Sequence, residues 1–323
     1  MTAIKVMSSL QATMTTTTQL TSRPFADERD IERMRDLLFR AKQAQPDKLH
    51  WHSTDFGWGY FLSTISGDPT QLYRLWERDG QVMAFALFDP RDKSFLLPMH
   101  PSVTSDALRD EMFAWVMGRF NAMRNADDAL LTSGSDDDAD GHIAFLKRKG
   151  FARGEHCFVH LARSLLELID APVVPQGFVV RAVAGEQEHG LRAAVHRSAF
   201  QPSRVAAKQY QRFMRLPVYD RETDIVAVAR DGTIAAFAKV WLDDVNKVGE
   251  FEPVGTHEDY RRLGLAKAVL LEGLRRMQVR GMQTALVQTG GGDGNDASAG
   301  ARKLYESVGF KLVRRDYDWT WKG

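Results

Sequence analysis

Two pairs of similar segments, in the same order along the chain, indicate that the sequence contains an internal repeat. The segment DGQVMAFALF begins at Asp79 and DGTIAAFAKV begins at Asp231, and both predict a tight Asp-Gly turn followed by an apolar strand. The segment GHIAFLKRKGF begins at Gly141 and GARKLYESVGF begins at Gly300, and both predict a short helix that ends at Gly-Phe. We therefore expect two units of similar fold.

The boundaries of the two units follow from a proline-containing segment, DAPVVPQGF, which predicts a linker between them. We predict a disordered tail at residues 1–22, a first domain at 23–166, the linker at 167–176 and a second domain at 177–323. The tail is rich in serine and threonine and lacks the continuous apolar core of a signal peptide.

The composition is typical of a soluble globular protein and excludes several classes of partner. Apolar residues make up 44% and charged residues 26% of the 323 residues, and the net charge is +1. Nucleic-acid binding relies on an excess of positive charge, which is absent, and no apolar run has the length of a membrane span. The single cysteine, Cys157, excludes an internal disulfide and favours a cytoplasmic location, and we interpret it as a core residue.

The order of elements in the second copy can be read from its hydrophobic pattern. The helical segments EQEHGLRAAVHRSAF and AAKQYQRFMR are followed by the strand-like segments DIVAVAR, TIAAFAKVWL and GEFEPVGT. A helix from about Leu265 to Arg280, with Gly281 as its predicted C-cap, precedes the strands TALVQT and FKLVRRDYDWTW. This order predicts an α/β fold with a mixed sheet.

A basic loop stands directly before the helix that begins at Leu265. It contains Arg261, Arg262 and a single glycine, Gly264. The free N–H groups and the dipole of a helix N-terminus attract anions, and the two arginines add charge, so the loop could bind phosphate. A basic turn that merely caps an amphipathic helix is the equally weighted alternative. The glycine patterns of a P-loop and of a dinucleotide-binding fold are both absent.

In this loop the sequence resembles the GNAT superfamily of N-acetyltransferases. The family signature, Gln/Arg-x-x-Gly-x-Gly/Ala, is matched by Arg261, Gly264 and Ala266, and the flanking segments PVGTHEDYRR and KLYESVGF occur in the expected order. The resemblance covers the second copy well and the first copy faintly. It implies two tandem GNAT-like domains of the mycothiol synthase type, each with a mixed, largely antiparallel sheet flanked by helices.

The resemblance implies that the second domain binds acetyl-CoA as the acyl donor and uses no metal. Many relatives contact the cofactor with an asparagine seven residues before the tyrosine of the helix end, where this chain has Ser298, with Asn295 three residues earlier. The implied cofactor-binding residues are Val254, Gly255, Thr256, Arg261, Arg262, Leu263, Gly264, Leu265, Ala266, Asn295, Ser298 and Tyr305.

Three residues are candidates for acid–base catalysis. Tyr305 occupies the position of the family's general acid and would protonate the leaving thiolate, although a core tyrosine on an amphipathic helix would look the same. Strand alternation would put Glu250 and Glu252 on one face, where either could take the proton of the amine, with Glu250 the better match. A pair of carboxylates on a solvated sheet face is the alternative. A backbone N–H near Val254 or Gly255 would polarise the acyl carbonyl.

The first copy lacks the residues that carry this chemistry. Its segment FLLPMHPSVTSDAL, which begins at Phe95, contains no glycine, and alignment of the helix ends places Leu146 opposite Tyr305. We therefore expect a degenerate first domain with a structural role. The run Asp136, Asp138, Asp140 begins like a calcium loop, but its twelfth position lacks the required glutamate, so we expect no metal site there.

Three functions remain open at the level of the sequence. The favoured one is an acyl-CoA-dependent N-acyltransferase, an enzyme that acts on a small-molecule amine as a monomer or homodimer. The alternatives are a catalytically silent acyl-CoA-binding or regulatory protein and a protein N-acetyltransferase. The acceptor amine and the length of the acyl group are not specified by fold and cofactor motif.

Overall fold

The computed structural model describes residues 19–46, 56–135, 141–291 and 297–323. The first half comprises, in chain order, β1 (Thr21–Pro24), α1 (Arg29–Ala44), α2 (Phe56–Ser66), α3 (Pro69–Leu72), β2 (Tyr73–Arg78), β3 (Gln81–Asp89), β4 (Ser94–Leu96), α4 (Asp106–Met123), β5 (Leu130–Ser135), α5 (His142–Arg148) and β6 (Ala152–Ser164). The second half comprises β7 (Phe178–Ala182), α6 (His189–Ala199), α7 (Ala207–Phe213), β8 (Asp224–Ala229), β9 (Ile234–Asp243), β10 (Val248–Thr256), α8 (Leu265–Val279), β11 (Thr284–Gly290), α9 (Ala297–Glu306) and β12 (Lys311–Trp321).

Equivalent helix ends in the two halves have the same backbone hydrogen bonds. Phe151 N–H donates to Leu146 O over 3.0 Å, and Phe310 N–H donates to Tyr305 O over 3.2 Å. The glycine before each phenylalanine has a positive φ, 83° at Gly150 and 87° at Gly309. These are the hydrogen bonds of a helix that ends at a left-handed glycine, so Leu146 and Tyr305 occupy corresponding positions.

All strands of the described residues join one mixed sheet, in the order β1-β2-β3-β4-β5-β12-β6-β11-β10-β9-β8-β7. The two halves exchange their last strands. β12, from the second half, pairs antiparallel with β5 of the first half, and β6, from the first half, pairs antiparallel with β11 of the second. β6 and β12 also pair with each other at the centre. Because the sheet runs through both halves without a break, the domain boundaries stay a prediction.

The second half of the sheet has a different core on each face. On one face, α8 and α9 cover β8, β9, β10 and β11, with Phe251, Leu270 and Tyr305 among the buried residues. The other face carries α6 and α7, and there the core is shared with α1 and α2 of the first half. Trp58 and Phe61 of α2 lie in that shared core beside Phe213 and Trp241 of the second half. The first half therefore helps to cover this face of the sheet beside β9 and β10.

The structure bears on the fold prediction in two further respects. It contains the mixed, mostly antiparallel sheet flanked by helices that the sequence predicts, with parallel pairing of β4 to β5 and of β10 to β11. No helix among the described residues combines the length and the apolar character that crossing a membrane would require.

Candidate functional site

Two neighbouring strands of the second half separate before they end. β10 and β11 pair in parallel from Val248 opposite Thr284 to Phe251 opposite Val287, and no further. Beyond that point β10 follows β9 as far as Thr256, while β11 follows β6. An opening therefore lies between the last residues of β10 and those of β11.

The hydrogen-bond pattern of β10 shows which N–H groups point into this opening. His257 N–H donates to Ala235 O of the neighbouring chain segment over 2.9 Å. In an antiparallel ladder alternate residues donate to the same neighbour, so Gly255 N–H also points towards β9. The N–H groups of Val254 and Thr256 consequently point towards β11, into the opening. Of the two positions predicted to polarise a carbonyl, this geometry favours Val254.

The basic loop lies between β10 and α8 and is exposed. Gly264 has φ 81° and precedes the first residue of α8, and Arg262 also has a positive φ, 67°. Its N-cap residue, Gly264, has no side chain with which to cap this helix N-terminus, and the first helical bond is from Ala268 N–H to Gly264 O. Within the described residues, neither Arg261 nor Arg262 has an ion-pair partner. Free N–H groups, a helix dipole and two uncompensated cations together suit an anion such as a pyrophosphate.

Tyr305, on α9, lies at the edge of the core that α8 and α9 form. The residue is 6% exposed, and its ring makes an edge contact with Phe310 at 6.1 Å between centroids. Burial raises the pKa of the Tyr305 hydroxyl above the ordinary tyrosine value, and the negative charge of Glu252 raises this pKa further. Tyr305 is thus protonated at neutral pH, as a proton donor must be. Its Oη makes no hydrogen bond to any described residue.

The two candidate carboxylates differ in their surroundings. Glu250 is 6% exposed and lies opposite Trp241 in the β9–β10 ladder. Its neighbours Gly249 and Phe251 approach α8, so the Glu250 side chain lies on the opposite face. Glu252 is partly buried and lies where the register shifts between Phe251 and Val254. Alternation does not fix its direction there, and its charge acts on Tyr305.

The comparison with protein families agrees with this geometry. Residues 192–310, which include the opening, the basic loop and Tyr305, match the model described as the acetyltransferase (GNAT) family. This segment of the chain is therefore similar to the GNAT family.

The chain has curated relatives that are named mycothiol acetyltransferase. A mycothiol acetyltransferase of Saccharomonospora viridis is 27% identical over 209 residues, which are 61% of this chain and 66% of that protein. The chain spans less than two thirds of the length of the first mycothiol acetyltransferases that it matches.

Solved structures show that the likeness in fold extends over almost the whole chain. A GCN5-related N-acetyltransferase from Sphaerobacter thermophilus has a TM-score of 0.60 at 17% identity, covering 94% of this chain and 95% of its own. A tandem GNAT protein from the clavulanic acid biosynthesis pathway also has a TM-score of 0.60, at 15% identity, covering 94% and 98%. The chain therefore has the fold of two GNAT units in tandem, as predicted.

The N-terminus of α4, which corresponds to that of α8 in the GNAT domain, is unsuited to an anion. The Ser105 hydroxyl caps α4 by accepting from Leu108 N–H over 3.2 Å, and Asp106 adds a negative charge in the first turn. β4 and β5 are paired at one position, Ser94 opposite Leu131. Leu146, in the place of Tyr305, is fully buried. These features support the prediction that the first unit does not bind the cofactor.

Four of the residues singled out in the sequence, Asn295, Asp136, Asp138 and Asp140, lie outside the described residues. Ser298 lies in the first turn of α9. Leu263 is exposed in the basic loop, and Leu265 and Ala266 open α8. In the described part of the chain, no three His, Cys, Asp or Glu side chains are grouped as a metal ion would need.

Sequence analysis missed one side chain of the GNAT domain, Trp241. Its Nε1 donates to Glu252 O over 2.6 Å, and Trp241 pairs with Glu250 in the β9–β10 ladder. The alternation of TIAAFAKVWL puts Trp241 on the same face as Phe237, which could have indicated that it does not face α8. Its hydrogen bond to Glu252 could not be predicted, because it depends on the register shift in β10 between Phe251 and Val254.

Proposed function

We propose that the protein is an acyl-CoA-dependent N-acyltransferase that transfers an acetyl group from coenzyme A to the amine of a small molecule. The observation that carries the proposal is the combination of the opening between β10 and β11 with an uncapped, basic helix N-terminus at the end of the loop that follows β10. The match of residues 192–310 to the GNAT family supports the same reaction class.

The residues of the second half have distinct roles in this proposal. Acetyl-CoA supplies a thioester, whose carbonyl carbon accepts the amine and whose sulfur leaves as a thiolate. The N-terminus of α8 with Arg261 and Arg262 would hold the pyrophosphate, and Val254 N–H would donate to the carbonyl oxygen. Glu250 or Glu252 would accept the proton of the amine, and Tyr305 Oη would donate a proton to the sulfur.

A small acceptor is favoured over a protein because the face of β9 and β10 opposite α8 is covered. α6 and α7 lie on that face together with α1 and α2 of the first half, and their aromatic side chains form one core. The relatives named mycothiol acetyltransferase also support a small-molecule acceptor.

The first test is calorimetric titration of the protein with acetyl-CoA, beside the variants Gly264→Asp and Gly281→Asp. Gly264 and Gly281 flank the two ends of α8, both have positive φ, 81° and 78°, and a Cβ at either would meet open space. Both variants therefore carry the same backbone strain, and only Gly264→Asp puts a negative charge into the proposed phosphate site. We expect one site per chain, abolished by Gly264→Asp and kept by Gly281→Asp.

Three other outcomes would contradict parts of the proposal. Two sites per chain would show that the first unit also binds the cofactor. Equal loss in both variants would mean that helix strain, not the loop charge, abolishes binding. Binding without CoA release across a panel of small amines would favour the alternative, a silent acyl-CoA-binding protein.

A further inference from the structure

The indole of Trp241 holds the backbone of β10 at the point where β10 separates from β11. Trp241 is 2% exposed, and its Nε1 donates to Glu252 O over 2.6 Å. At this point β10 has one residue more than β9, because Phe251 pairs with Val240 and the next pair is Val254 with Ala238. Pairing with β11 has already ended at Phe251. The carbonyl of Glu252 is therefore held by a side chain at a place where the strand ladder is interrupted.

A helix of the first half holds the indole in place. A Cβ at Gly57 of α2 would lie 2.6 Å from Trp241 Cζ3 and 2.9 Å from Cη2, so the backbone of α2 rests directly on the six-membered ring. The Phe213 ring makes an edge contact with Trp241 at 5.9 Å, and Lys239 Nζ lies 4.5 Å from the indole centroid. Because interiors are close-packed, the indole cannot shift without movement of α2 or α7.

The carbonyl that Trp241 holds is next to the groups of the candidate site. One residue, Pro253, separates Glu252 from Val254, whose N–H points into the opening. The carboxylate on the same residue, Glu252, acts on the pKa of Tyr305. A rotation of the Glu252 carbonyl would move the Cα that carries the carboxylate and, through Pro253, the N–H of Val254. Misplacement by about 1 Å is enough to lower a rate about 100-fold.

We propose that Trp241 is a positioning residue. By holding the backbone carbonyl of Glu252, it sets the direction of the Glu252 carboxylate and of the Val254 N–H. Because α2 holds the indole, the first unit controls the geometry of a site whose basic loop belongs to the second unit. This inference rests on the proposed function, in which Val254 N–H donates to the acyl carbonyl.

The test compares Trp241→Phe with a matched control, Trp76→Phe. Trp76 is 1% exposed, and its Nε1 donates to Glu111 Oε1 over 2.8 Å in the first half. Each variant keeps an aromatic ring and removes one buried indole hydrogen bond. We expect Trp241→Phe to lower kcat about 10- to 100-fold. The Kd of acetyl-CoA should change by less than about threefold, since the substitution leaves the basic loop before α8 intact. Trp76→Phe should change neither.

Two further readouts do not depend on an acceptor. Acetyl-CoA labelled with ¹³C at the acetyl carbonyl should show a downfield shift on binding, because a hydrogen bond polarises the carbonyl, and Trp241→Phe should reduce that shift. In the ligand-free protein, amide hydrogen exchange in residues 252–257 should be faster in Trp241→Phe than in the wild type or in Trp76→Phe. Gly57→Ala adds a methyl group that pushes on the indole from the first half. It should therefore lower kcat, reduce the carbonyl shift and speed up amide exchange, as Trp241→Phe does.

The outcomes separate this inference from the proposed function. Unchanged exchange and an unchanged carbonyl shift in Trp241→Phe would overturn the positioning role even if the wild type is an active transferase. Equal losses in Trp241→Phe and Trp76→Phe would also overturn it, since they would reflect general destabilisation. A wild type that binds acetyl-CoA without turnover would count against the proposed function alone, and the carbonyl shift would still support or overturn the role of Trp241. No binding of acetyl-CoA would overturn both.

Discussion

Tyr305 and Leu146 occupy the same place in the two halves, yet they have different neighbours. Leu146 is fully buried in an apolar core with Phe113 and Phe145, whereas Tyr305 lies at the edge of its core within reach of the charge on Glu252. The same helix end thus carries a packing residue in one half and a candidate proton donor in the other.

Removal of the Tyr305 hydroxyl should slow the reaction without unfolding the protein. We expect Tyr305→Phe to lower kcat by about 100-fold or more, as loss of a general acid does, while the Kd of acetyl-CoA is kept. Stability should change little, because the hydroxyl makes no hydrogen bond to described residues. Since burial and Glu252 raise the Tyr305 pKa above its ordinary value, the hydroxyl stays protonated at alkaline pH, and wild-type kcat should show no loss from its ionisation up to about pH 10.

The measurement is kcat as a function of pH for both proteins, with Tyr317→Phe as a control that loses a hydroxyl from β12. The wild-type kcat could instead fall with an apparent pKa well below 10 while the kcat of Tyr305→Phe does not fall. That result would show that Tyr305 ionises below its ordinary pKa and would contradict the prediction. An unchanged kcat in Tyr305→Phe would remove the residue from the proposed mechanism.

At the scale of elements, α8 and α4 each contain a glycine, and only the glycine of α8 packs against the sheet. In α8 a Cβ at Gly273 would lie 2.5 Å from Phe251 Cε1 and 3.3 Å from Ile225 Cδ1, so glycine lets the helix pack directly on β8 and β10. Gly118, inside α4, faces open space. The two glycines therefore have different structural roles, although glycine has the same low helix propensity at both positions.

Alanine should have opposite effects at these two positions. Gly118→Ala should stabilise the protein by about 0.5–1 kcal/mol, because alanine is the better helix former and meets no neighbour. Gly273→Ala should destabilise it by about 1–3 kcal/mol, because the new methyl group forces Phe251 or the helix to shift. Urea unfolding of both variants gives the two free energies. Stabilisation by Gly273→Ala would show that α8 can move away from β10 without loss.

At the scale of the whole molecule, the exchange of β6 and β12 joins the two units. Each unit lends its last strand to the other, and a second core joins α1 and α2 of the first half to α6 and α7 of the second. Neither half has its complete sheet without the other. The first unit, which we predict to be degenerate, is therefore part of the structure of the second, and the contact of Gly57 with Trp241 is one local expression of this dependence.

The two units should unfold together. We expect one calorimetric transition with equal calorimetric and van't Hoff enthalpies, because loss of either unit removes a strand from the other. Acetyl-CoA at about 100 times its Kd should stabilise the protein by roughly 2.7 kcal/mol and move the whole transition upward. Differential scanning calorimetry with and without acetyl-CoA measures this. Two transitions, of which acetyl-CoA moves only one, would show that the units are independent.

The local features of the candidate site were predictable from the sequence, and their arrangement was not. The repeat, the basic loop before α8 and the position of Tyr305 are visible because each depends on residues close together in the chain. The extra residue in β10 and the bond from Trp241 to Glu252 join separate strands, and the contact of α2 with Trp241 joins the two halves. Hydrophobic patterns decide which face of an element is buried. Only the tertiary structure decided that the halves share a sheet by exchanging strands, because strand pairing depends on long-range contacts that a local pattern does not specify.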